Sequence, residues 1–130
     1  MNGVKLDGTI YHVRKVFNTL EQSFSLIEGP NAGDKLSGYH ERDLLGTSYQ
    51  YSFGVERDPA YPDDYDAFFW AISAPVDSHE VEMPNGQGTM TFQAMIQSGR
   101  RVMGAMLGGS RRWSGLVVNF IPIEPQRPAT

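Results

Sequence analysis

Residues 47–56 read TSYQYSFGVE, and they carry the clearest period-two pattern in the chain. Tyr49, Tyr51, Phe53 and Val55 alternate with smaller or polar side chains. Because successive side chains of a strand point to opposite faces, this pattern predicts a β-strand with one buried face. The fold prediction starts from a sheet built around that strand.

Further strand-like runs lie on both sides of this segment. Asp7-Gly8 separates residues 4–6 from residues 10–17, and Asp-Gly between two such runs is a strong hairpin signal. Other strands are expected at residues 20–27, 35–45, 79–83, 89–96 and 116–123. The short connections favour antiparallel pairing, so we expect a mainly β protein, either a β-sandwich or a partly closed barrel.

One α-helix is predicted at residues 62–74, flanking the sheets. Pro62 suits the first helical turn, and the aspartates that follow it suit the positive end of the helix dipole. Tyr65, Phe68, Phe69 and Ile72 recur at helical spacing and form one apolar stripe. Trp70 lies off this stripe, so we expect it to face a second sheet or a partner.

The overall composition limits the possible functions. The chain has 130 residues, no visible linker and ordinary hydrophobic content, so residues 1–130 are expected to form a single domain. A net charge of −4 counts against nucleic-acid binding, which normally needs a basic excess. No run approaches the roughly 20 apolar residues of a membrane span, and no signal core appears at the N-terminus. We therefore expect a soluble, unexported protein that binds neither membrane nor specific nucleic-acid sequences.

Catalytic and metal-binding motifs are not apparent. Cysteine is absent, and His12, His40 and His79 lack the spacing of known zinc motifs. The aspartates Asp58, Asp63, Asp64 and Asp66 lack the spacing of a calcium loop, and the helix dipole accounts for those at the helix start. We expect no catalytic residue, no metal and no cofactor, so the protein is not expected to be an enzyme.

Residues 98–112 stand out as a glycine-rich segment without a sustained period. Apolar residues occupy its middle, and pairs of arginines bracket them: Arg100, Arg101, Val102, Met103, Met106, Leu107, Arg111 and Arg112. One interpretation is a solvated loop with extended arginines. The other is a flexible arm that docks on a neighbouring copy, with its arginines paired to that copy's carboxylates. A Pro-rich tail follows at residues 124–130.

Several short runs of the chain resemble a family of small prophage proteins associated with tail genes of phages of Gram-positive bacteria. The resemblance extends from about Leu6 to Arg127 and includes Asn31-Ala32-Gly33, Arg42-Asp43-Leu44-Leu45-Gly46-Thr47, Tyr65-Asp66-Ala67-Phe68, Ile72-Ser73-Ala74-Pro75-Val76-Asp77 and Glu124-Pro125-Gln126-Arg127. The expected architecture is also similar to the tail-tube fold of tube proteins and distal-tail hub proteins.

The resemblance implies a structural subunit of a phage tail, made in the host bacterial cytoplasm and located in the virion. It implies a homo-oligomer that forms rings, commonly hexamers, contacts other tail proteins and surrounds a channel through which DNA passes. The expected subunit interface comprises Trp70, Arg100, Arg101, Met103, Met106, Leu107, Arg111 and Arg112. Two alternatives stay open: a head–tail joining or tail-completion ring protein, and a small-ligand binding module or enzyme with a cleft lined by Tyr49, Tyr51 and Trp70.

Overall fold

A computed structural model describes residues 3–16, 18–29, 33–34, 40–41 and 44–128. The strands in the first half of the chain are β1 (Val4–Leu6), β2 (Thr9–Tyr11), β3 (Val13–Lys15), β4 (Glu21–Glu28), β5 (Gly33–Asp34), β6 (His40–Glu41) and β7 (Leu44–Arg57). The second half contains helix α1 (Asp64–Ile72) and strands β8 (His79–Asn85), β9 (Gly88–Met95), β10 (Val102–Leu107), β11 (Ser110–Ser114), β12 (Leu116–Pro122) and β13 (Arg127–Pro128).

The long strand β7 is the centre of the first sheet, as its alternating sequence predicts. Strands β4 and β3 pair along one edge of β7, and β12 and β13 pair along the other, all antiparallel. The sequence suggested two strands joined at Gly46, whereas β7 runs continuously through that residue. Most of the strand predicted at residues 35–45 lies outside the described residues.

Strand β12 belongs to both sheets. Residues 116–120 pair with β7, whereas Ile121 and Pro122 pair with Met95 and Ala94 of β9. From β9 the second sheet continues through β8 and β1 to β2. Within the described part of the chain the sheets do not close into a barrel, so the structure confirms the antiparallel β-sandwich with one helix and not the barrel.

The core lies between the inward faces of the two sheets and the helix. Alternate residues of β12 are buried, and so are Tyr51, Phe53 and Val55 of β7, which is the pattern of strands with one covered face. The fully buried large side chains are Tyr51, Phe53, Phe68, Phe120, Leu6, Met83, Leu116, Val4, Val13, Val55, Val81 and Val118. The rings of Phe53 and Phe120 meet edge to face, with their centroids 5.5 Å apart.

The predicted strand at residues 10–17 is wrong at His12, where the chain passes from one sheet to the other. Strand β2 ends at Tyr11 in the second sheet, and β3 begins at Val13 in the first. The backbone N–H of His12 does not pair with a neighbouring strand and instead donates to the Asp64 carboxylate at 2.8 Å. The break depends on this contact with the helix start, 52 residues away, which no local pattern reveals.

Helix α1 is confirmed, although it is shorter than the predicted 62–74. Tyr65, Phe68 and Ile72 are buried, and the Phe68 ring meets Tyr11 of β2 edge to face at 5.7 Å. The helix ends at Ser73, whose hydroxyl donates to the Phe69 carbonyl, before Pro75 can interrupt it. The apolar stripe therefore packs α1 onto the sandwich beside β2, β3 and β7.

The Pro-rich tail packs on the first sheet up to residue 128. Strand β13 pairs with Gly46 and Thr47 of β7. The side chain of Gln126 accepts from the Tyr49 N–H at 2.9 Å and donates to the Tyr49 carbonyl at 2.7 Å. The Gln126 side chain therefore hydrogen-bonds both backbone groups of Tyr49. This residue lies on β7 between the residues that pair with β13 and those that pair with β12.

Candidate functional site

The glycine-rich segment contains a β-hairpin, which the sequence analysis did not predict. Strands β10 and β11 pair with each other, with a bulge between Met103 and Ala105, and Gly108 and Gly109 adopt positive φ values of 57° and 80° at the turn. Such values are easily reached only by glycine, so the two residues suit a tight turn. Within the described residues this hairpin forms a separate two-stranded sheet.

Arg101 at the base of the hairpin is bound within its own chain. Its guanidinium lies 2.6 Å from the Asp66 carboxylate of α1. The same group lies 4.1 Å from the Phe69 ring centroid and 4.6 Å from that of Trp113. These contacts attach the hairpin to the helix, whereas the sequence analysis expected Arg101 to pair with a neighbouring subunit.

The rest of the hairpin exposes the residues that were expected to form an interface. Val102, Met103 and Met106 are 53%, 44% and 56% exposed, and all three are apolar. Arg100, Arg111 and Arg112 are also exposed, and no carboxylate of the described residues lies within ion-pair distance of them. The side chain of Leu107 is outside the described part of the structure.

Two further apolar features lie on the surface. Trp70 on α1 is 81% exposed, consistent with its position off the buried stripe. Strand β4 exposes nearly every side chain, including Phe24 and Leu26, and it pairs with β7 along one edge only. No described strand covers its other edge. The sequence predicts a strand at residues 20–27, but its pattern does not indicate that this strand is an exposed edge.

A half-open cavity of about 610 Å³ lies between the hairpin, the start of α1 and the end of β7. Arg57, Arg111 and Arg112 line it together with Asp63 and Tyr65. Burial raises the pKa of Tyr65, with Arg101 opposing this effect and Asp66 adding to it. No local sequence pattern indicates this cavity, because its walls come from three separated segments.

The histidines and aspartates considered as metal ligands have other roles where they are described. His12 stacks on Tyr61 at 4.0 Å, and the His79 ring lies 2.6 Å from the Asp7 carboxylate. Asp58 accepts from the Ala60 N–H and lies 3.7 Å from Arg14. Among the described residues no group of three possible ligands could hold a metal ion. The side chain of His40 lies outside them.

The three aromatic residues that were proposed to line one ligand cleft lie in different environments. Tyr51 is buried, and its hydroxyl donates to the Pro84 carbonyl at 2.9 Å and accepts from Gln22. Tyr51 lines a cavity of about 160 Å³ with Glu21 and Asn119, and neither Tyr49 nor Trp70 belongs to it. The structure therefore does not bring the three aromatic residues into one cleft.

Comparison of the chain with protein-family models gives no match, and neither does comparison with curated protein sequences. No helix within the described ranges has the length and apolar character that crossing a membrane requires.

Proposed function

We propose that this protein is a structural subunit of a phage tail, in the tail tube or the tail-tip hub, that assembles with copies of itself into rings. The observation that carries the proposal is the hairpin of β10 and β11, whose apolar side chains are exposed while its base is fixed to α1. The family resemblance of the sequence supports the phage assignment.

The hairpin gains little burial from its own chain beyond its base. An isolated two-stranded sheet is marginally stable in water, and exposed apolar clusters are typical of interaction sites. Val102, Met103 and Met106 present such a cluster, which a second protein surface would cover. Methionine adapts well to such surfaces because its side chain is flexible and polarisable.

Charge complementarity favours another copy of the chain as the partner. Arg111 and Arg112 are exposed beside the apolar cluster, whereas the whole chain carries a net charge of −4. A second copy therefore carries an excess of acidic side chains, which can pair with the exposed arginines of the hairpin. The contact is heterologous, because the hairpin of one copy binds a different surface of the next, and contacts of this kind form rings when the rotation closes.

The open edge of β4 gives a second means of joining subunits. Along the side of this strand that faces away from β7, alternate residues between Glu21 and Ile27 present backbone groups that no other described strand pairs with. Strand addition to such an edge provides backbone hydrogen bonds, and Phe24 and Leu26 add apolar contact beside them.

The test compares the wild-type chain with a Met103→Ser/Met106→Ser variant by light scattering over a wide concentration range and by negative-stain electron microscopy. We expect rings of the wild-type protein and monomers of the variant, and equal thermal stability at concentrations too low for assembly, because both methionines are exposed in the single chain. Val76→Ser is the matched control, since Val76 is 57% exposed but lies outside the hairpin, and we expect it to assemble normally.

Ring formation by the double variant at wild-type concentrations would remove the hairpin from the interface. A wild-type chain that stays monomeric at every concentration would contradict self-assembly. Labelling of assembled particles with an antibody separates a tail position from a head–tail joining position, which uses the same ring chemistry.

A further inference from the structure

The cavity between the hairpin and the start of α1 gathers positive charge. Arg57 extends into its lining from the end of β7, and Arg111 and Arg112 do so from β11. None of the three has a carboxylate partner among the described residues. Three cationic side chains from two separate strands therefore share one half-open space.

The carboxylates at the cavity do not balance this charge. Asp66 is already paired with Arg101 at 2.6 Å, so Asp63 is the one lining carboxylate without a described partner. Three guanidinium groups against one free carboxylate leave the cavity positive, although the chain as a whole has a net charge of −4. Mutual repulsion of the arginines is relieved when an anion enters between them.

Tyr65 adds an uncommitted hydroxyl to the same lining. The residue is 2% exposed, and its hydroxyl has no hydrogen-bond partner among the described residues. Buried hydroxyl groups are nearly always hydrogen-bonded in folded proteins. Tyr65 is therefore a lining residue that carries a polar group without a described partner.

We propose that this cavity binds an oxyanion, a phosphate or carboxylate group, through Arg57, Arg111 and Arg112. The planar guanidinium matches both anions because its N–H groups bind two oxygens in parallel. Binding links β7 to the hairpin turn and so holds the hairpin against the helix start. The site does not depend on ring assembly, since all of its residues come from one chain.

The first test titrates pyrophosphate and citrate separately into the full chain and follows the heat of binding. We expect saturable binding at one site, weakened at least about tenfold in an Arg111→Gln/Arg112→Gln variant. Arg100→Gln is the matched control, because Arg100 is an exposed arginine next to the hairpin that does not line the cavity. Equal affinity in the wild type and the double variant would overturn the proposal.

A second measurement uses only the wild-type protein and so avoids any question of variant folding. Trp113 lines the cavity, whereas Trp70 does not and is 81% exposed. During titration the indole N–H signal of Trp113 should shift in NMR spectra and that of Trp70 should stay in place. Equal shifts of both signals, or no shift of either, would contradict binding at this cavity.

The source of the oxyanion is distinguished by light scattering of the assembled protein. If a carboxylate of a second copy occupies the cavity, excess citrate dissociates the assemblies, and the double variant fails to form them. If a free phosphate or carboxylate is the ligand, assembly is unchanged while the titration still saturates. If the titration shows no saturable binding and the anions have no effect on assembly, the site is refuted, and the apolar interface of the hairpin remains separately testable.

Discussion

Asp7 connects the first turn of the chain to the second sheet through three contacts. Its backbone N–H donates to the Glu80 carbonyl at 2.7 Å, and its carboxylate accepts from the Glu80 N–H at 2.8 Å. The other carboxylate oxygen lies 2.6 Å from His79, a ring that is only 5% exposed. Asp7 also adopts a positive φ of 52°, a conformation that aspartate tolerates in turns.

These contacts predict how stability changes in acid. Burial alone raises the pKa of Asp7, but hydrogen bonds from His79 and Glu80 outweigh it, so the pKa lies below the ordinary value of 3.8. The folded chain then binds fewer protons than the unfolded chain near this pH. The stabilisation is present above pH 3.8 and is lost as the pH falls through the lower, folded-state pKa.

The free energy of unfolding of the Asp7→Asn variant should therefore fall less steeply than that of the wild type as the pH drops below 3.8. At neutral pH the variant should lose no more than about 1 kcal/mol, because the contacts lie close to solvent. Urea unfolding at a series of pH values measures both effects. Asp77→Asn, at an exposed position without a described partner, is the control and should follow the wild-type pH profile; an equally steep acid loss in Asp7→Asn would contradict the role of Asp7.

Among the secondary structure elements, β7 depends on a glycine where the C-terminal segment crosses it. A Cβ atom at Gly46 would lie 2.5 Å from the Arg127 carbonyl oxygen and 2.9 Å from the Pro125 side chain. The Arg127 carbonyl is part of the backbone, so it cannot move aside as the end of a flexible side chain could. Close approach of β13 to β7 is therefore possible only with glycine at this position.

Gly46→Ala should displace β13 and destabilise the protein by about 2 kcal/mol or more. Hydrogen exchange should show faster exchange at the Tyr49 amide, which is bonded to Gln126. Gly104→Ala is the control, since a Cβ there meets nothing within 4 Å, and it should be nearly neutral. Unchanged protection of Tyr49 in Gly46→Ala would show that the tail is not fixed by this contact.

The elements differ in how far the sequence predicts them. The second half of β7 and helix α1 follow from their apolar periods, because Tyr51, Phe53 and Val55 of the strand and most of the apolar stripe of the helix are buried. The hairpin of β10 and β11 was missed because the described side chains of both strands are largely exposed, so burial imposes no alternation on them. The residues proposed for the interface stand out in the sequence by their unusual composition, but the bond of Arg101 to Asp66 does not, since 35 residues separate the two.

At the scale of the whole molecule, β12 connects the two sheets. It pairs with β7 through its first five residues and with β9 through its last two, while its buried side chains fill the space between the sheets. The arginine-lined cavity likewise exists only in the complete fold, since β7, α1 and β11 each supply a wall. Neither feature has a local sequence signal, because each depends on contacts between distant segments.

Phe120→Ala should lower the free energy of unfolding by about 3–5 kcal/mol, the usual cost of removing a fully buried aromatic ring. Because β12 is shared, amide protection in β8 and in β7 should fall by the same amount. Val117→Ala, on the exposed face of the same strand, should change little. Loss of protection in one sheet alone would show that the sheets unfold independently.

The exposed strand β4 also poses a problem for newly made chains. Between Glu21 and Glu28 the strand reads QSFSLI, six residues without charge or proline. Uncharged segments of this kind promote aggregation between chains that have not yet folded. Charged residues on either side of such a segment reduce that aggregation. Glu21 and Glu28 flank this segment, so replacing both with uncharged residues is expected to lower the yield of soluble protein on expression.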